Sequence, residues 1–230
     1  MSYTPFPVSC PTVFSFSLYG DKPMYTTGMI KNAEHIPRRF PGAEVWIYIA
    51  DDVPAHIRDT LQSLPAIRLM DVPTHPGAFN MFYRFHAIDD MDSGIMFVRD
   101  ADSRVHERDA ACIEDFLVDE TKQLHIIRDN MYHRQYIMGG MWGMRKDNTI
   151  LISEKQKELQ IKSAGYCDDQ HFLRNNIYPR YVHSVMIHDD HHHIDPTIPR
   201  TPFRVPIVDH QFVGQVYTIN EDGSDEPMYV

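Results

Sequence analysis

The sequence predicts an α/β architecture, with one mostly parallel central sheet and helices on both faces, from three observations. Short β-rich runs alternate with helical stretches along the chain, the order that builds parallel sheets through crossover connections. Several runs are apolar at consecutive positions, as at residues 95–98 (Ile-Met-Phe-Val), the mark of a strand buried on both faces. Polar clusters recur where the runs stop, at Asp51, Asp100 and Asp102, Asp129 and His188, so a single rim of the sheet collects them all. In open α/β sheets ligands bind beyond the carboxyl ends of strands, which puts a functional site on that rim.

The bulk properties agree. A chain of 230 residues buries a substantial core within one domain, and residues 1–230 read as such a domain. Hydrophobic residues make up 43% and charged residues 23%, ordinary values for a globular protein. The net charge of -10 argues against a nucleic-acid or anionic-membrane partner. An anionic ligand then requires a local cationic site, such as a metal with a few arginines. Cys10, Cys112 and Cys167 are odd in number, far apart and lack C-x-x-C spacing, so they read as free thiols in a reducing compartment. No apolar run reaches about 18 residues and the N-terminus lacks a basic-then-apolar signal, so a soluble, cytoplasmic protein is expected.

In chain order, residues 1–11 carry three prolines and form an irregular lead-in. Residues 13–20 make a first strand ended by Gly20, followed by a helix over about 24–40. The turn between them faces a nucleotide but is not G-x-G-x-x-G, which argues against a dinucleotide site. A second strand at 44–50 ends in Asp51 and Asp52, residues 54–64 are helical, and a third strand at 67–72 stops at Pro73. Residues 78–90 form a helix whose stripe is Phe79, Phe82, Phe85 and Ile88. Arg84 lies off that stripe, either as a solvated surface residue or as a phosphate clamp, since guanidinium matches phosphate oxygens two at a time.

After the central strand come a helix over about 107–120 and a strand at 124–127 that runs into Arg128 and Asp129. Residues 136–146 contain Gly139, Gly140 and Gly143, which weaken a strand and signal the close approach of a sugar ring or of a neighbouring element. Residues 149–158 are helical. Asp168 and Asp169 open a helix over 169–176, where the helix dipole favours acids, although capping accounts for only one of the two. A late strand at 181–187 precedes His188, Asp189, Asp190 and His191, His192, His193. Three adjacent histidines cannot all face one ion from regular backbone, so at most one ligand is expected there. Residues 194–230 are proline-rich, then acidic, and are expected to wrap the surface and fray at the end. No internal repeat is apparent.

The chemistry concentrates after the central strand. Hydrophobicity stops at Arg99, and Asp100 and Asp102 follow with one residue between them. In extended backbone such positions point to one side, so both carboxylates converge on one cation. Carboxylate oxygens suit hard ions such as Mg²⁺ and Mn²⁺. The bland reading leaves both acids solvated or paired to Arg99 and Arg104.

Taken together, the first strand, the central strand ending in D-x-D, the Gly-rich segment, the acid-bearing late helix and the late histidine resemble the GT-A fold glycosyltransferases. More narrowly, residues 83–85 (Tyr-Arg-Phe), 99–104 (Arg-Asp-Ala-Asp-Ser-Arg), 128–129, 139–143 (Gly-Gly-Met-Trp-Gly), 169–173 (Asp-Gln-His-Phe-Leu), 188–189 and 212–215 (Phe-Val-Gly-Gln) resemble small glycosyltransferase-like proteins of large DNA viruses and bacterial polysaccharide loci. The resemblance runs from about residue 13 to 217. It implies that Asp102, with Asp100 directly or through water, holds Mn²⁺ or Mg²⁺ against the diphosphate of a nucleotide-sugar, UDP-sugar favoured. It further implies that His188 completes the metal shell, with His183 as the fallback. Leu18, Tyr19, Gly20 and Asp51 correspond to base and ribose contacts, and Arg84 to a phosphate or sugar contact. Asp129 and residues 139–142, Gly140 and Trp142 included, border the transferred sugar. Imidazole among carboxylates tilts the ion toward Mn²⁺.

Glycosyl transfer must expel a nucleoside diphosphate while positive charge develops on the sugar carbon, and a carboxylate must take the acceptor's proton. Asp169 or Asp168 is the expected base, which makes the enzyme inverting. If neither reaches the acceptor, both hold the helix and sugar hydroxyls and a retaining course follows. Three rivals remain: a sugar-1-phosphate nucleotidyltransferase, whose Gly-rich basic loop is poorly matched by residues 19–22, a metal-dependent hydrolase built on residues 188–193, and an idle sugar-binding domain.

Overall fold

A computed structural model describes residues 4–159, 165–209 and 211–228; the first three residues of the lead-in and the expected frayed end at 229–230 lie outside that range. Among the described residues seven strands form one sheet: β1 (Thr12–Leu18), β2 (Glu44–Ala50), β3 (Ile67–Val72), β4 (Ile95–Arg99), β5 (Leu124–Arg128), β6 (Met141–Arg145) and β7 (Val185–Asp189). Their order across the sheet is β3-β2-β1-β4-β6-β5-β7. Every neighbouring pair is parallel except those of β6, which runs antiparallel to both β4 and β5. The sheet is therefore mostly parallel, as expected, and the carboxyl ends of all strands but β6 share one rim.

Side-chain alternation sends each strand's apolar residues to both faces. On one face Phe14, Phe16, Val45, Ile47 and Phe97 pack beneath α1 (Pro23–Arg39), α2 (Ala55–Ser63) and, further along the chain, residues Ala110, Ile113 and Phe116. On the other, Trp46, Met96, Val98, Ile126 and Trp142 pack beneath the segment at 78–88 and the helices at 172–181. Helices cover both faces. None among the described residues is long and apolar enough to cross a membrane.

Several expected boundaries shift for identifiable reasons. The helix expected over 78–90 is a 3₁₀ segment, Ala78–Phe85, followed by the short α3 (Ala87–Asp90). The backbone of Arg84 is satisfied by β1 instead: its N–H donates to Ser17 Oγ (2.9 Å), and its carbonyl accepts from Ser15 Oγ (2.6 Å). That clamp holds Arg84 off regular α geometry and against the sheet. Next comes α4 (Glu107–Val118), and then a strand in the Gly-rich region that starts only at Met141, because residues 138–141 turn through a Met141 N–H to Met138 carbonyl bond of 3.2 Å. Helix α5 (Ile152–Glu158) precedes α6 (Asp168–Phe172), which runs into a π-helical turn, Leu173–Ile177, and then α7 (Tyr178–Tyr181). The last strand of the sheet opens at Val185, after a 3₁₀ turn at Val182–Ser184.

Three buried arginine–aspartate pairs fasten the rim. Arg99 grips Asp109 through two bonds of 2.8 and 2.7 Å, Arg108 grips Asp129 at 2.7 and 2.6 Å, and Arg128 reaches Asp189 at 2.8 Å. Removing one partner from such a pair leaves an uncompensated buried charge and costs about 3–5 kcal/mol. Beyond the sheet a hairpin of β8 (Tyr217–Ile219) and β9 (Asp225–Pro227) closes over the rim, where Asp225 bonds both Arg104 and Lys31.

Candidate active site

Asp100 follows β4 directly, and the D-x-D sequence is a turn rather than extended backbone. The Ser103 N–H and Oγ both donate to the Asp100 carbonyl, at 3.2 and 2.9 Å. Around that turn, Asn32 Nδ2 donates to the Ser103 carbonyl (2.8 Å) and the Tyr217 N–H to the Asp102 carbonyl (2.8 Å). Gly28 of α1 lies so close to the Ala101 carbonyl that a Cβ there would overlap it. The convergence of the two acids thus comes from a clamped turn, correcting the extended geometry inferred from spacing.

Neither flanking arginine forms an ion pair with the acids. Arg99 is spent on Asp109 and Arg104 on Asp225. Arg84 takes that part: one guanidinium nitrogen bonds Asp100, and Nη2 bonds Asp169 at 3.0 Å. Its side chain is only 5% exposed, so it is no solvated surface residue. Burial works against the guanidinium charge, but Asp100 and Asp169 outweigh it and hold its pKa above the ordinary value. Gly139 and Gly140 make room for this ion group. A Cβ on Gly139 would fall against Asp169 and, at 2.7 Å, against Arg84 Nη2; one on Gly140 would overlap the Asp100 carboxylate. The antiparallel register of β4 with β6, Arg99 opposite Met141, brings the glycines there. The close approach signalled by the sequence is that of Asp100 and Asp169.

Asp100, Asp102, Arg84, Asp169, Tyr19, Gly139 and Gly140 all line one cavity of about 390 Å³. Burial, and then the neighbouring Asp100 charge, push Asp102 up to about 7. Burial also raises the Tyr19 and Tyr25 phenols, with Asp102 contributing to both.

Other expected site residues lie elsewhere. His188 is fully buried, with Nδ1 3.1 Å from His125 Nε2 and Nε2 3.2 Å from Asp115, against Phe203. It shares parity along β7 with Met186 and so points to the α4 side of the sheet, away from the acids. His183 is exposed at the start of β7, the opposite rim. His191, His192 and His193 fold around Asp189, each donating its backbone N–H to that carboxylate. Asp129 is held by Arg108 and by the Val213 N–H at 2.8 Å, so it serves the scaffold and does not border the cavity. Trp142 alternates to the core, edge-on to Phe85 at 5.4 Å, and Leu18 is core as well. Asp51 stands on the correct rim but accepts from the Thr74 N–H and hydroxyl outside the cavity. Gly20 has φ of 71° and its N–H caps Asp52 at 2.9 Å. Asp168 caps a surface turn through the Gly165 N–H at 2.7 Å, leaving Asp169 as the acid that faces inward.

Sequence reading missed His133 and Tyr25, which also line the cavity. His133 is 7% exposed, its Nδ1 accepts the Asp129 N–H at 3.0 Å, and burial pushes it down to about 4, with His191 and His192 adding to the shift. Neither residue sits in a pattern that marks it; the aromatic stretch Tyr132-His133 after a strand end was the available signal.

Asp100 and Asp102 fit a hard divalent cation. Two carboxylates share one turn and both line the cavity. Magnesium-type ions bind through one or two carboxylates and take their remaining ligands from water and substrate phosphates. Among the described residues no group of three or more His, Cys, Asp or Glu surrounds one point, so any such ion takes other ligands besides these acids.

No protein-family model and no curated protein matches the chain. Its fold is that of the GT-A glycosyltransferases. Glucosyl-3-phosphoglycerate synthase from Mycobacterium tuberculosis, solved with phosphoglyceric acid, aligns with TM-score 0.50 and 10% identity over 78% of this chain and 69% of its own. A mannosyltransferase from Pyrobaculum calidifontis, solved with GDP-Man and Mn²⁺, aligns with TM-score 0.50 and 16% identity over 83% of this chain, which spans 59% of that protein's length. The galactosyltransferase LgtC, solved with donor and acceptor sugar analogues, gives TM-score 0.50 and 15% identity over 77% and 73%.

Proposed function

We propose that the chain is a divalent-cation-dependent glycosyltransferase that moves a sugar from a nucleoside-diphosphate donor, a UDP-sugar favoured, to a hydroxyl of a glycan or other acceptor. One observation carries this reading: Asp100, Asp102 and Asp169 meet in a single cavity beyond the carboxyl ends of the strands, with Arg84 between them. The solved glycosyltransferases that share the fold include one with GDP-Man and Mn²⁺, which supports a cation and a nucleotide-sugar at this rim.

Asp102 and Asp100 hold Mn²⁺ or Mg²⁺. When bound, the ion neutralises charge that accumulates on the departing diphosphate. Tyr19 and the Gly20 turn face the nucleoside, with Asp51 next to them on the rim. Arg84 presents a two-pronged cation to phosphate or sugar oxygens. Asp169 takes the acceptor hydroxyl proton as the new carbon–oxygen bond forms and the bond to the diphosphate breaks, which inverts the sugar carbon. His188 belongs to the core network, so it would not complete the ion's shell.

Incubation with a panel of nucleotide-sugars and Mn²⁺ tests the reading. Release of nucleoside diphosphate with a glycosylated product supports transfer. Pyrophosphate exchange instead identifies a nucleotidyltransferase, and release of inorganic phosphate alone a hydrolase; either result sinks it.

A further inference from the structure

Arg84 occupies an unusual position for a substrate-binding arginine. It is engaged by both Asp100 and Asp169, its backbone is clamped by Ser15 and Ser17, and its side chain is buried. Its Nε is buried without a partner among the described residues, so one face of the guanidinium fork is unsatisfied. The glycines at 139 and 140 leave too little space for a Cβ against this ion group, so the bridge is a built feature and not a chance pairing of long side chains.

We propose that Arg84 is a counterion lock that suppresses cation binding until the donor's diphosphate arrives. In the ligand-free protein the guanidinium pairs with both Asp100 and Asp169 and occupies an oxygen of Asp100 that a cation would use. A divalent ion approaching alone must share Asp100 with Arg84 and meets its charge at close range, where like charges repel. A nucleoside diphosphate offers Arg84 an alternative anion of suitable geometry. Arg84 turns to those oxygens, Asp100 becomes available beside Asp102, and ion and donor load together. Asp169 is released from the same bridge at that moment, so the proposed base is freed only once the donor is in place. By linkage, whatever favours the ion also favours the diphosphate. The lock rests on the cation site proposed above.

Mn²⁺ binding, measured by electron paramagnetic resonance with and without UDP and without any turnover, separates the two ideas. In the parent protein Mn²⁺ alone binds weakly, and UDP tightens it by roughly tenfold or more. Arg84→Met binds Mn²⁺ alone about tenfold more tightly than the parent and loses most of the UDP effect. Arg84→Lys keeps the charge needed for folding but cannot bridge two carboxylates, so Mn²⁺ alone tightens several-fold (about 3-fold) and the UDP effect shrinks. Unchanged or weaker binding of Mn²⁺ alone in Arg84→Lys, with the parent still binding Mn²⁺ in the presence of UDP, overturns the lock and leaves the cation site standing. Failure of the parent to bind Mn²⁺ even with UDP, or binding that survives Asp102→Asn unchanged, overturns both.

Discussion

Gly140 leaves no room for a side chain against Asp100: a Cβ built on it overlaps the Asp100 carboxylate. Because the overlapping atoms are the tip of a short side chain, an alanine there is accommodated by moving Asp100, not by moving the sheet. Gly140→Ala is therefore expected to melt within a few degrees (about 3 °C) of the parent while nucleotide-sugar turnover falls about 10²-fold, the scale of an ångström-sized misplacement. Turnover close to that of the parent would show that Asp100 is not needed where it stands.

Asp102→Asn separates charge from fold. The folded pKa of Asp102 is raised to about 7 from an ordinary 3.8, so the folded protein holds a proton that the unfolded chain has already lost. Its contribution is favourable at low pH and is lost as pH rises through about 7. Relative to the parent, Asp102→Asn gains stability between pH 5 and 8, on the order of 1–3 kcal/mol, while cation-dependent turnover disappears. Urea denaturation of both proteins at the two pH values, in the absence of metal, measures the difference.

The two candidate bases predict opposite results. Asp169 lines the cavity, whereas Asp168 caps the turn at Gly165. Asp169→Asn is expected to lower kcat by about 10²-fold or more with little change in donor affinity, as removal of a positioned base does. Asp168→Asn stays within a few-fold (about 3-fold) of the parent, since a surface cap is worth about 1 kcal/mol of stability and nothing in chemistry. Steady-state kinetics with one donor and one acceptor decides between them.

His133 imposes an acid limit. Its folded pKa is lowered from 6.5 to about 4, so its contribution is fully present above pH 6.5 and is lost as pH falls through about 4. Protonation also breaks the bond that Nδ1 accepts from the Asp129 N–H. His133→Gln should flatten the stability profile between pH 6.5 and 4 by about 3 kcal/mol relative to the parent. A variant with the parent's profile would assign the acid limit to other groups, such as His125, which burial and His188 also hold well below the ordinary value.

The sequence revealed the rim more readily than the direction of side chains along it. Apolar runs mark β1, β2, β4 and β5 because strands buried on both faces have few polar positions, and acids that end such runs must lie together at one edge. Asp100, Asp102, Arg84, Asp169 and Gly140, singled out from the sequence, share the cavity. Trp142 and His188 do not, because strand parity decides which face a residue meets, and parity depends on a register no local pattern reveals. Adjacent residues of a helix point about 100° apart, so only one of Asp168 and Asp169 turns inward. Off the apolar stripe of a regular helix, Arg84 reads equally as a solvated residue or a phosphate clamp; the serines of β1 hold the segment in 3₁₀ geometry and turn it under the rim. His133 and Tyr25 lie in a loop and on a helix face, where nothing in the spacing marks them.

The turn that carries both acids takes one of its anchors from the Tyr217 N–H, and the neighbouring Arg104 is tied to Asp225. A growing polypeptide therefore finishes its pocket only after its sheet, since Tyr217 and Asp225 follow the last strand, β7, and are translated well after the aspartates they brace. Nascent chains paused before residue 217 would carry the acids on a turn that lacks this anchor.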